Sequence, residues 1–386
     1  MSTAVTPLRR LGKFGVREFL ARYWQREAVC IPQAIAGFTS PISRARLFEL
    51  ASNPEVESRL VSAFSGRWKL RHGPIAAAAL PSLRRANWTL LVQGVDLHDD
   101  AVWALAARFR FLPAARFDDV MISYASYGGG VGPHVDQYDV FLLQAQGRRR
   151  WRIATEFDPQ LVSGVPLRLL ANFQHQREWV LEPGDLLYLP PGVAHEGVAL
   201  EPGITISIGF RLPMRQEIME AWSERQLRIA PRMDRLIDRT RRPTKAPARL
   251  PSSMVKDATR KLRQIRPSAI EVRRTLLEHL SEPKPSVRFA PRRLATGQQR
   301  FTNAACRRGV VLDLRTRMLY QGEDIAINGE IQPQLPAAAQ RLLRTLANCQ
   351  HLPAEALGSI GGRNAQALLA LLHDWYRFGW LHLAAY

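Results

Sequence analysis

Two short stretches of the sequence contain side chains that can bind a metal ion. His134 and Asp136 lie two positions apart in "GPHVDQYDV", and His195 follows a Pro-Pro-Gly turn in "PGDLLYLPPGVAHEG". On an extended backbone, residues i and i+2 point to the same face, so His134 and Asp136 can bind one ion from one side. Two imidazoles and one carboxylate leave positions open on an octahedral ion, which suits a non-haem Fe(II) oxygenase. We therefore predict that these three residues are the metal ligands of a catalytic centre.

The prediction depends on both stretches together. A His-x-Asp pair alone recurs by chance and usually lies on a surface loop. Here a run of three glycines, residues 128–130, precedes the pair, and 58 residues separate Asp136 from His195. That length allows several antiparallel strands to bring the second stretch beside the first. A zinc site would more often include a thiolate or a third histidine.

The segment "RRRWRI" at residues 148–153 places one arginine towards the interior. In a strand, period-two alternation puts Arg149 on the same face as Trp151 and Ile153, which we expect to be the buried face. A buried guanidinium needs an anion. The distal carboxylate of 2-oxoglutarate is one such anion, since an arginine fork binds a carboxylate in a bidentate manner. An internal ion pair with a protein carboxylate is the alternative.

Two serines on strands of the same predicted barrel are further candidates for binding this cosubstrate. Ser123 lies in "MISYAS" and Ser207 lies in "TISIGF". Each hydroxyl could donate a hydrogen bond to the cosubstrate, or it could be a core hydroxyl with a partner inside the protein.

The elements that must position these residues change in type along the chain. From residue 118 to residue 210, short strands alternate with Gly/Pro turns, which predicts an antiparallel barrel or sandwich. Helical patterns precede this region and return after Pro213. We predict a catalytic domain with an N-terminal helical elaboration at residues 1–212, a basic helical region at 213–300 and a winged-helix-like unit at 301–386. A purely structural cap is the alternative for the last unit.

The composition limits the kinds of partner and compartment. The 386 residues have a formal net charge of +20, and residues 225–300 alone contain 21 Lys/Arg against 6 Asp/Glu. This excess predicts attraction to polyanions such as the ribosome or rRNA, unless the arginines lie on solvated helix faces. The three cysteines are far apart and offer no thiolate metal site. With no long apolar run and no secretory signal at the N-terminus, we expect no membrane partner and a cytoplasmic location.

The sequence resembles the JmjC-type branch of the cupin superfamily, and more closely the bacterial ribosomal oxygenases. The resemblance is dense over residues 55–212 and rests on "MISYASYGGGVGPHVDQYDVFLLQAQGRRRWRI", "EPGDLLYLPPGVAHEG", "SRLVSAFSGRWKLRHGP" and "NWTLLVQGVD". It implies an α+β protein with a double-stranded β-helix, a helical dimerisation region and a C-terminal winged helix. It also implies an Fe(II)-, 2-oxoglutarate- and dioxygen-dependent hydroxylase of a large-subunit ribosomal protein, acting at an arginine β carbon.

Residue by residue, the resemblance places the iron ligands at His134, Asp136 and His195, the cosubstrate arginine at Arg149, and a pocket-lining residue at Ser123. Four further residues at the predicted mouth of the barrel are candidates for binding a basic peptide, or else belong to a solvated rim: Asp118, Asp119, Tyr138 and Asp139.

Three other functions remain open at this stage. The chain could be a ribosome- or RNA-binding factor with a vestigial barrel, a histidine hydroxylase acting on another ribosomal protein, or a cupin with a different chemistry. The intact His-x-Asp…His set and the inward Arg149 favour the 2-oxoglutarate oxygenase. Residues 213–300 are unusually arginine-rich and broken by prolines, which departs from the family pattern expected for a dimerisation region.

Overall fold

The structure, a computed structural model, describes residues 5–64, 66–229, 248–264, 266–291 and 297–385. Part of the basic segment at 225–300 therefore lies outside the described residues, including most of residues 240–251, a stretch rich in Pro and Arg that we interpret as a connection between helices. The chain folds as two compact units. The first comprises Met1–Leu212, Pro283–Thr316 and Leu335–Tyr386, and the second comprises Pro213–Glu282 and Arg317–Gln334.

The elements up to residue 212 are, in chain order, β1 (Arg10–Leu11), β2 (Phe14–Gly15), α1 (Val16–Arg22), β3 (Val29–Ile31), α2 (Arg44–Ser52), β4 (Ser58–Phe64), β5 (Arg67–His72), β6 (Trp88–Val92), α3 (Asp100–Ala107), β7 (Phe117–Ala125), β8 (His134–Val135), β9 (Asp139–Gln146), β10 (Arg149–Ala154), β11 (Arg177–Leu181), β12 (Leu186–Leu189), β13 (Ala194–Ala199) and β14 (Gly203–Phe210), with short 3₁₀ turns at Ala77–Ala79, Val95–Leu97 and Ala114–Arg116. The later elements are α4 (Arg215–Ile229), α5 (Ser252–Gln264), α6 (Ala269–Ser281), α7 (Gln298–Arg308), β15 (Val310–Leu312), β16 (Met318–Gln321), β17 (Asp324–Ile327), β18 (Glu330–Ile331), α8 (Ala337–Cys349), β19 (His351–Leu352), α9 (Ala354–Gly358), α10 (Gly362–Phe378) and β20 (Leu381–Leu383).

Two antiparallel sheets form the barrel of the first unit. The larger sheet has the strand order β3-β12-β9-β14-β7-β6-β4-β5, and the smaller one has the order β11-β10-β13-β8. From β7 to β14 the chain passes back and forth between the two sheets, because β7, β9, β12 and β14 belong to the larger and β8, β10, β11 and β13 to the smaller. This alternation is that of a double-stranded β-helix, and it confirms the predicted antiparallel barrel.

The larger sheet is fixed in place by an aromatic core. Strand β14 is rich in β-branched residues and is buried along its whole length, and β9 is buried except at its last residue. The ring of Phe19 on α1 lies 5.0 Å from that of Tyr188, and the ring of Trp24 lies 6.0 Å from that of Phe141. Each such buried side chain contributes about 1.5–3 kcal/mol relative to its exposed state. The N-terminal helix therefore anchors the strands that lead to the predicted site.

The remaining elements are divided between the two units. In the second unit, Glu278 on α6 accepts hydrogen bonds from Arg225 and Arg228 on α4, while Arg273 and Arg274 bind Asp324 on β17. Strands β16, β17 and β18 form a meander within this unit. In the first unit, β19, β15 and β20 form a three-stranded sheet. The three-part division predicted above, with its dimerisation and winged-helix roles, stays a prediction.

Among the described residues, no helix combines the length and apolar character that a membrane crossing requires.

Candidate metal centre

The pairing of β8 with β13 brings the two predicted histidine ligands together. In this antiparallel pair His134 lies directly opposite His195, and Val135 lies opposite Ala194. Residues that face each other across an antiparallel pair point to the same side of the sheet. Asp136 follows β8 immediately, and its carbonyl accepts a hydrogen bond of 2.8 Å from the backbone amide of Gly192.

The three side chains converge on one point. One ligand atom from each of His134, Asp136 and His195 lies within 4.8 Å of the others. The Oδ2 atom of Asp136 is 3.9 Å from Nε2 of His134 and 3.7 Å from Nε2 of His195. The His195 side chain is only 3% exposed, whereas those of His134 and Asp136 are 26% and 23% exposed. The cluster therefore has a buried side and an open side.

Hydrogen bonds to backbone carbonyls orient both imidazoles. Nδ1 of His134 lies 3.0 Å from the carbonyl oxygen of Gly132, and Nδ1 of His195 lies 3.0 Å from that of Val193. A carbonyl oxygen can only accept, so each Nδ1 carries the proton and donates it. Each Nε2 atom is left with a lone pair directed at the cluster, which is how metal-binding histidines are usually held.

The surroundings favour neutral imidazole at His195. Burial, followed by the neighbouring His134, lowers the pKa of His195 to about 4, so the ring is unprotonated at neutral pH. The hydroxyl of Tyr138 lies near the Asp136 carboxylate, and burial together with that carboxylate raises the pKa of Tyr138 well above its usual value. Tyr138 therefore stays protonated and helps to position a predicted ligand.

The cluster lies in a cavity of about 690 Å³ within the first unit. Its wall includes the three predicted ligands, Arg149 and Trp151, together with side chains from β4, β5, β7, β9 and β14. A cavity of this size holds a small organic ligand as well as an ion.

Arg149 extends into the same cavity, and its predicted inward direction is confirmed. Arg149 is 4% exposed, and the residues on the same face of β10 are also buried: Trp151 is 5% exposed and Ile153 is 1% exposed. Arg150 and Arg152, on the other face, are partly exposed. Burial lowers the pKa of Arg149 to about 10, so the guanidinium is still charged at neutral pH. The Cζ atom of Arg149 lies 4.9 Å from the centre of the Trp151 ring.

The partners of this guanidinium are neutral. Nη1 donates to Ser123 Oγ and Thr205 Oγ1, each at 3.2 Å, and Nη2 donates to the carbonyl of Gly197 at 3.1 Å. Within the described part of the chain, no carboxylate lies within ion-pair distance of Arg149, and its Nε atom has no hydrogen-bond partner. The predicted alternative, an internal ion pair, is therefore not what the described residues form.

Glycine at position 197 makes room for this arrangement. A Cβ atom there would lie 2.7 Å from Nε of Arg149 and equally close to the Trp151 ring. Gly130 has a related function, since its Cβ would lie 2.5 Å from the Gly197 carbonyl oxygen. The backbone thus approaches closely between β13 and the glycine run.

These observations fit a divalent metal ion and an anionic organic ligand in one cavity. The two histidines and Asp136 supply nitrogen and oxygen donors on one side of an ion. A buried cation without a carboxylate partner is costly, so the Arg149 side of the cavity is suited to an external carboxylate.

The two predicted serine candidates differ in their relation to Arg149. Ser123 is buried and accepts a hydrogen bond from Arg149. On β14 the residue that accepts from Arg149 is Thr205 and not Ser207. Ser207 lies two residues further on and lines the same cavity. The Thr205 hydroxyl donates to Gln144 at 2.9 Å and so can accept from Arg149. The sequence signal for Thr205 was its i, i+2 spacing from Ser207 on an otherwise apolar strand.

The residues predicted to lie at the mouth of the barrel differ in their position relative to the cavity. Tyr138 lines the cavity, and Asp119 lies on β7 in register with the cavity residues Met121 and Ser123, two and four positions further along. Asp119 is 4% exposed and binds Lys284 and Gln93. Asp118 is partly exposed and lies 3.4 Å from Nζ of Lys284.

The expectation that Asp139 lies at the mouth is wrong. Asp139 is fully buried, and its carboxylate accepts hydrogen bonds from Arg116 at 2.7 Å, Tyr188 at 2.6 Å and Gln25 at 3.0 Å. It is thus a buried ion-pair partner that ties the N-terminal segment to β9 and β12. Strand β9, which begins at Asp139, is buried on both faces, so its first residue lies in the interior and not at a rim.

Comparison with known proteins first defines the class. Residues 104–218 match the family model of the JmjC domain. This range includes the three predicted ligands and Arg149, and it confirms the predicted JmjC-type cupin fold.

The chain is 34% identical over 348 residues to the ribosomal protein uL16 3-hydroxylase of Escherichia coli, which covers 86% of this chain and 90% of that protein. The X-ray structure of E. coli YcfD matches with a TM-score of 0.84 and 33% identity, over 97% of this chain and all of that one. A structure of YcfD, described as a ribosomal oxygenase, in complex with cobalt and 2-oxoglutarate matches with a TM-score of 0.81 and 33% identity, over 97% of this chain and 99% of that one. The chain belongs to the ribosomal oxygenase family, as its sequence predicted.

Replacement of one predicted ligand should weaken metal binding. We expect His134→Ala to raise the Kd for Co²⁺ at least tenfold, because outer-shell changes alone cost about 10–100-fold in metal affinity. The intensity of the visible Co²⁺ absorption during a titration measures this. The matched control is His175→Ala, a half-exposed histidine whose nearest charged partner is Glu178. Equal affinities of the two variants would exclude His134 as a ligand.

Proposed function

We propose that the protein is an Fe(II)- and 2-oxoglutarate-dependent hydroxylase of a large-subunit ribosomal protein, acting at the β carbon of an arginine. The observation on which this rests is one cavity that contains the His134, Asp136 and His195 cluster and the buried, carboxylate-free Arg149. Membership of the ribosomal oxygenase family supports the substrate class, and the name of the E. coli relative supports hydroxylation at carbon 3 of its ribosomal substrate.

In this proposal His134, Asp136 and His195 hold the iron. When bound, Fe(II) would activate dioxygen, so that one oxygen atom enters the substrate C–H bond and the other enters 2-oxoglutarate, which is oxidised to succinate and CO2. The facial arrangement of the protein ligands leaves the remaining coordination positions to the cosubstrates. Tyr138, which is protonated and lies near the Asp136 carboxylate, is proposed to keep that ligand in place.

Arg149 is proposed to bind the distal carboxylate of 2-oxoglutarate. The hydroxyls of Ser123 and Thr205 fix the guanidinium from one side, and the Gly197 carbonyl fixes it from another. Ser207, on the same face of β14 as Thr205, is proposed as an additional hydroxyl towards the cosubstrate. Arg149 itself is almost fully buried, which strengthens the pairing between the guanidinium and its carboxylate.

Asp119 is the mouth residue best suited to bind a substrate guanidinium. It already binds the ammonium group of Lys284 at the end of the β7 row formed with Met121 and Ser123. A nearly buried carboxylate that is paired with one cation can exchange it for another cation, because its charge is then never left buried and unpaired. Asp118 and Tyr138 lie close by and complete the proposed contact.

The function is tested by incubation of the protein with Fe(II), 2-oxoglutarate and a peptide from the ribosomal protein. We expect a product about 16 Da heavier, with one succinate formed per hydroxylation, and fragmentation that places the oxygen on an arginine. Arg149→Ala should raise the 2-oxoglutarate concentration needed for half-maximal rate at least tenfold, since a charged hydrogen-bond pair is lost.

The matched control for Arg149 is Arg150→Ala, on the outer face of the same strand, which should leave the 2-oxoglutarate requirement within about twofold of the wild type. An Arg149→Ala requirement equal to that of the control would mean that the arginine serves only the fold. A hydroxylated histidine in place of an arginine would establish the alternative acceptor residue. Metal binding without turnover on any ribosomal protein would contradict the substrate class.

A separate substitution tests the substrate contact. Asp119→Asn should raise the KM for the peptide about tenfold or more, because a charge-assisted pair becomes a neutral hydrogen bond. The control is Lys284→Met, which removes the existing pair but keeps the carboxylate. If both variants raise KM equally, Asp119 acts through Lys284 and not through the substrate.

We further propose that the protein works in the cytoplasm, where ribosomal proteins are made, as a homodimer that contacts rRNA through its basic segment at 225–300. The described helices of the second unit support association because they expose large apolar side chains. Seven are at least 38% exposed: Met219, Leu227, Ile229, Met254, Val255, Leu262 and Ile270. The composition of 225–300 supports the rRNA contact.

The oligomeric state can be measured by sedimentation equilibrium. We expect the wild type to sediment as a dimer of the 43.6-kDa chain, and Met219→Glu with Leu227→Glu to shift the equilibrium to the monomer. Two buried charges per protomer would oppose an apolar interface strongly. The control places the same charges on another exposed apolar pair, Leu161→Glu with Val180→Glu. A wild-type monomer at micromolar concentration would contradict the proposal.

A further inference from the structure

Strand β5 forms an open, basic edge beside the cavity. It is the last strand of the larger sheet, with β4 as its neighbour. Leu70 and His72 line the cavity on one of its faces. Arg67, Lys69 and Arg71 alternate with them, so they share the other face, and all three are exposed. Successive cations on this face are about 7 Å apart.

The surrounding sequence has cations but no acidic residues. Residues 58–95 include six Lys/Arg and no Asp/Glu. Arg85 lies over the ring of Phe64, 4.1 Å from its centre, and Phe64 faces Arg67 across the β4–β5 pair. Arg85 therefore extends the basic face of β5. Arg59 faces His72 on the cavity side and lines the cavity.

These cations have no acidic counterparts among the described residues. Across the ranges that the structure describes, no carboxylate lies within ion-pair distance of Arg67, Lys69, Arg71 or Arg85. Exposed faces of proteins usually mix both signs of charge. A continuous field of one sign raises the local concentration of oppositely charged partners and speeds their association.

Cations on an edge strand also have a purely structural use, because they discourage pairing with the edge strands of other molecules. One or two charges serve that purpose. A run of 38 residues without an acidic side chain, with three cations on one face of the edge strand and Arg59 of β4 on the cavity side, exceeds it. The edge therefore fits a polyanionic partner better than a solvated rim.

The charge of the proposed substrate points to the nature of that partner. Ribosomal proteins that bind rRNA are basic, and this chain has a net charge of +20 with a basic edge at its cavity. Two such molecules repel each other, which slows their encounter. An RNA phosphate backbone between them would be attracted to both.

We propose that the basic face of β5, formed by Arg67, Lys69, Arg71 and Arg85, binds the phosphate backbone of RNA, so that the enzyme takes its substrate protein in RNA-bound form. The second part rests on the proposed hydroxylase function, whereas the first stands on the geometry and charge of β5 alone. Phosphate contacts of this kind position a protein on RNA without reading its sequence.

The test uses the full chain with the triple substitution Arg67→Gln, Lys69→Gln and Arg71→Gln. We expect its affinity for fluorescein-labelled, deproteinised large-subunit rRNA to fall at least tenfold at 0.15 M salt. The slope of log K against log salt should decrease by about 2, since each single-strand phosphate contact contributes about 0.7. The control removes the same charge from exposed positions near the N-terminus: Arg9→Gln, Lys13→Gln and Arg17→Gln.

The two triple variants should also differ in kcat/KM, depending on whether the substrate is bound to RNA. On a free peptide, kcat/KM of the β5 variant should stay within about twofold of the wild type, whereas on the substrate protein bound to rRNA it should fall about tenfold. Residual RNA affinity of the β5 variant measures the contribution of other basic segments. The proposal is overturned if both triple variants bind rRNA equally, or if the β5 variant loses only its activity on the peptide, which would make the edge a peptide site.

A failure of the proposed hydroxylase function gives a different result. The wild type would then modify neither the peptide nor the protein–RNA complex, while the comparison of the two triple variants in the rRNA titration would still decide whether β5 binds RNA.

Discussion

The register between β8, β13 and β10 is the constraint on which the site depends. It places His134 opposite His195, and the next strand places Ile153 opposite His195 and Arg149 opposite Ala199. Because side chains alternate along a strand, a slip of one residue in either pair would turn the imidazoles or the guanidinium away from the cavity. The apolar cluster that joins Trp151 and Ile153 of β10 to Val140 and Leu142 of β9, together with the glycines that allow close backbone approach, keeps the strands in this register. Most of the first unit can be understood as support for that alignment.

Those parts of the site that follow from local periodicity could be predicted from the sequence. The His-x-Asp spacing, the turn before His195 and the alternation in "RRRWRI" each describe a few adjacent residues, and the structure brings the four side chains into one cavity. The antiparallel barrel also follows from the pattern of short strands and turns. Thr205 and Gly197 were missed because their role depends on which residues of distant strands lie beside Arg149. Asp139 was misplaced for the same reason, since its strand is covered on both faces and its sequence cannot show that.

Acidic residues with similar sequence surroundings thus have very different roles in this protein. Asp139 neutralises Arg116 in the interior and links the N-terminal segment to the barrel. Asp119 holds a lysine at the end of a row of cavity residues, and Asp136 lies among imidazoles. Arg149 shows the opposite situation, a buried cation among neutral partners. A folded protein tolerates the energetic cost of a buried, unpaired guanidinium where an anionic ligand completes the ion pair.

The hydrogen bonds from Nδ1 of each histidine have a consequence for the order of assembly. Both acceptors are carbonyls two residues earlier in the chain, Gly132 for His134 and Val193 for His195, so each segment contains its own orienting group. The rings are aimed by the backbone and not by the ion. In zinc fingers, by contrast, the ion organises the fold and its removal unfolds the domain. Here the polypeptide can complete its folding first, and metal loading becomes a late and reversible step that can follow the supply of iron in the cell.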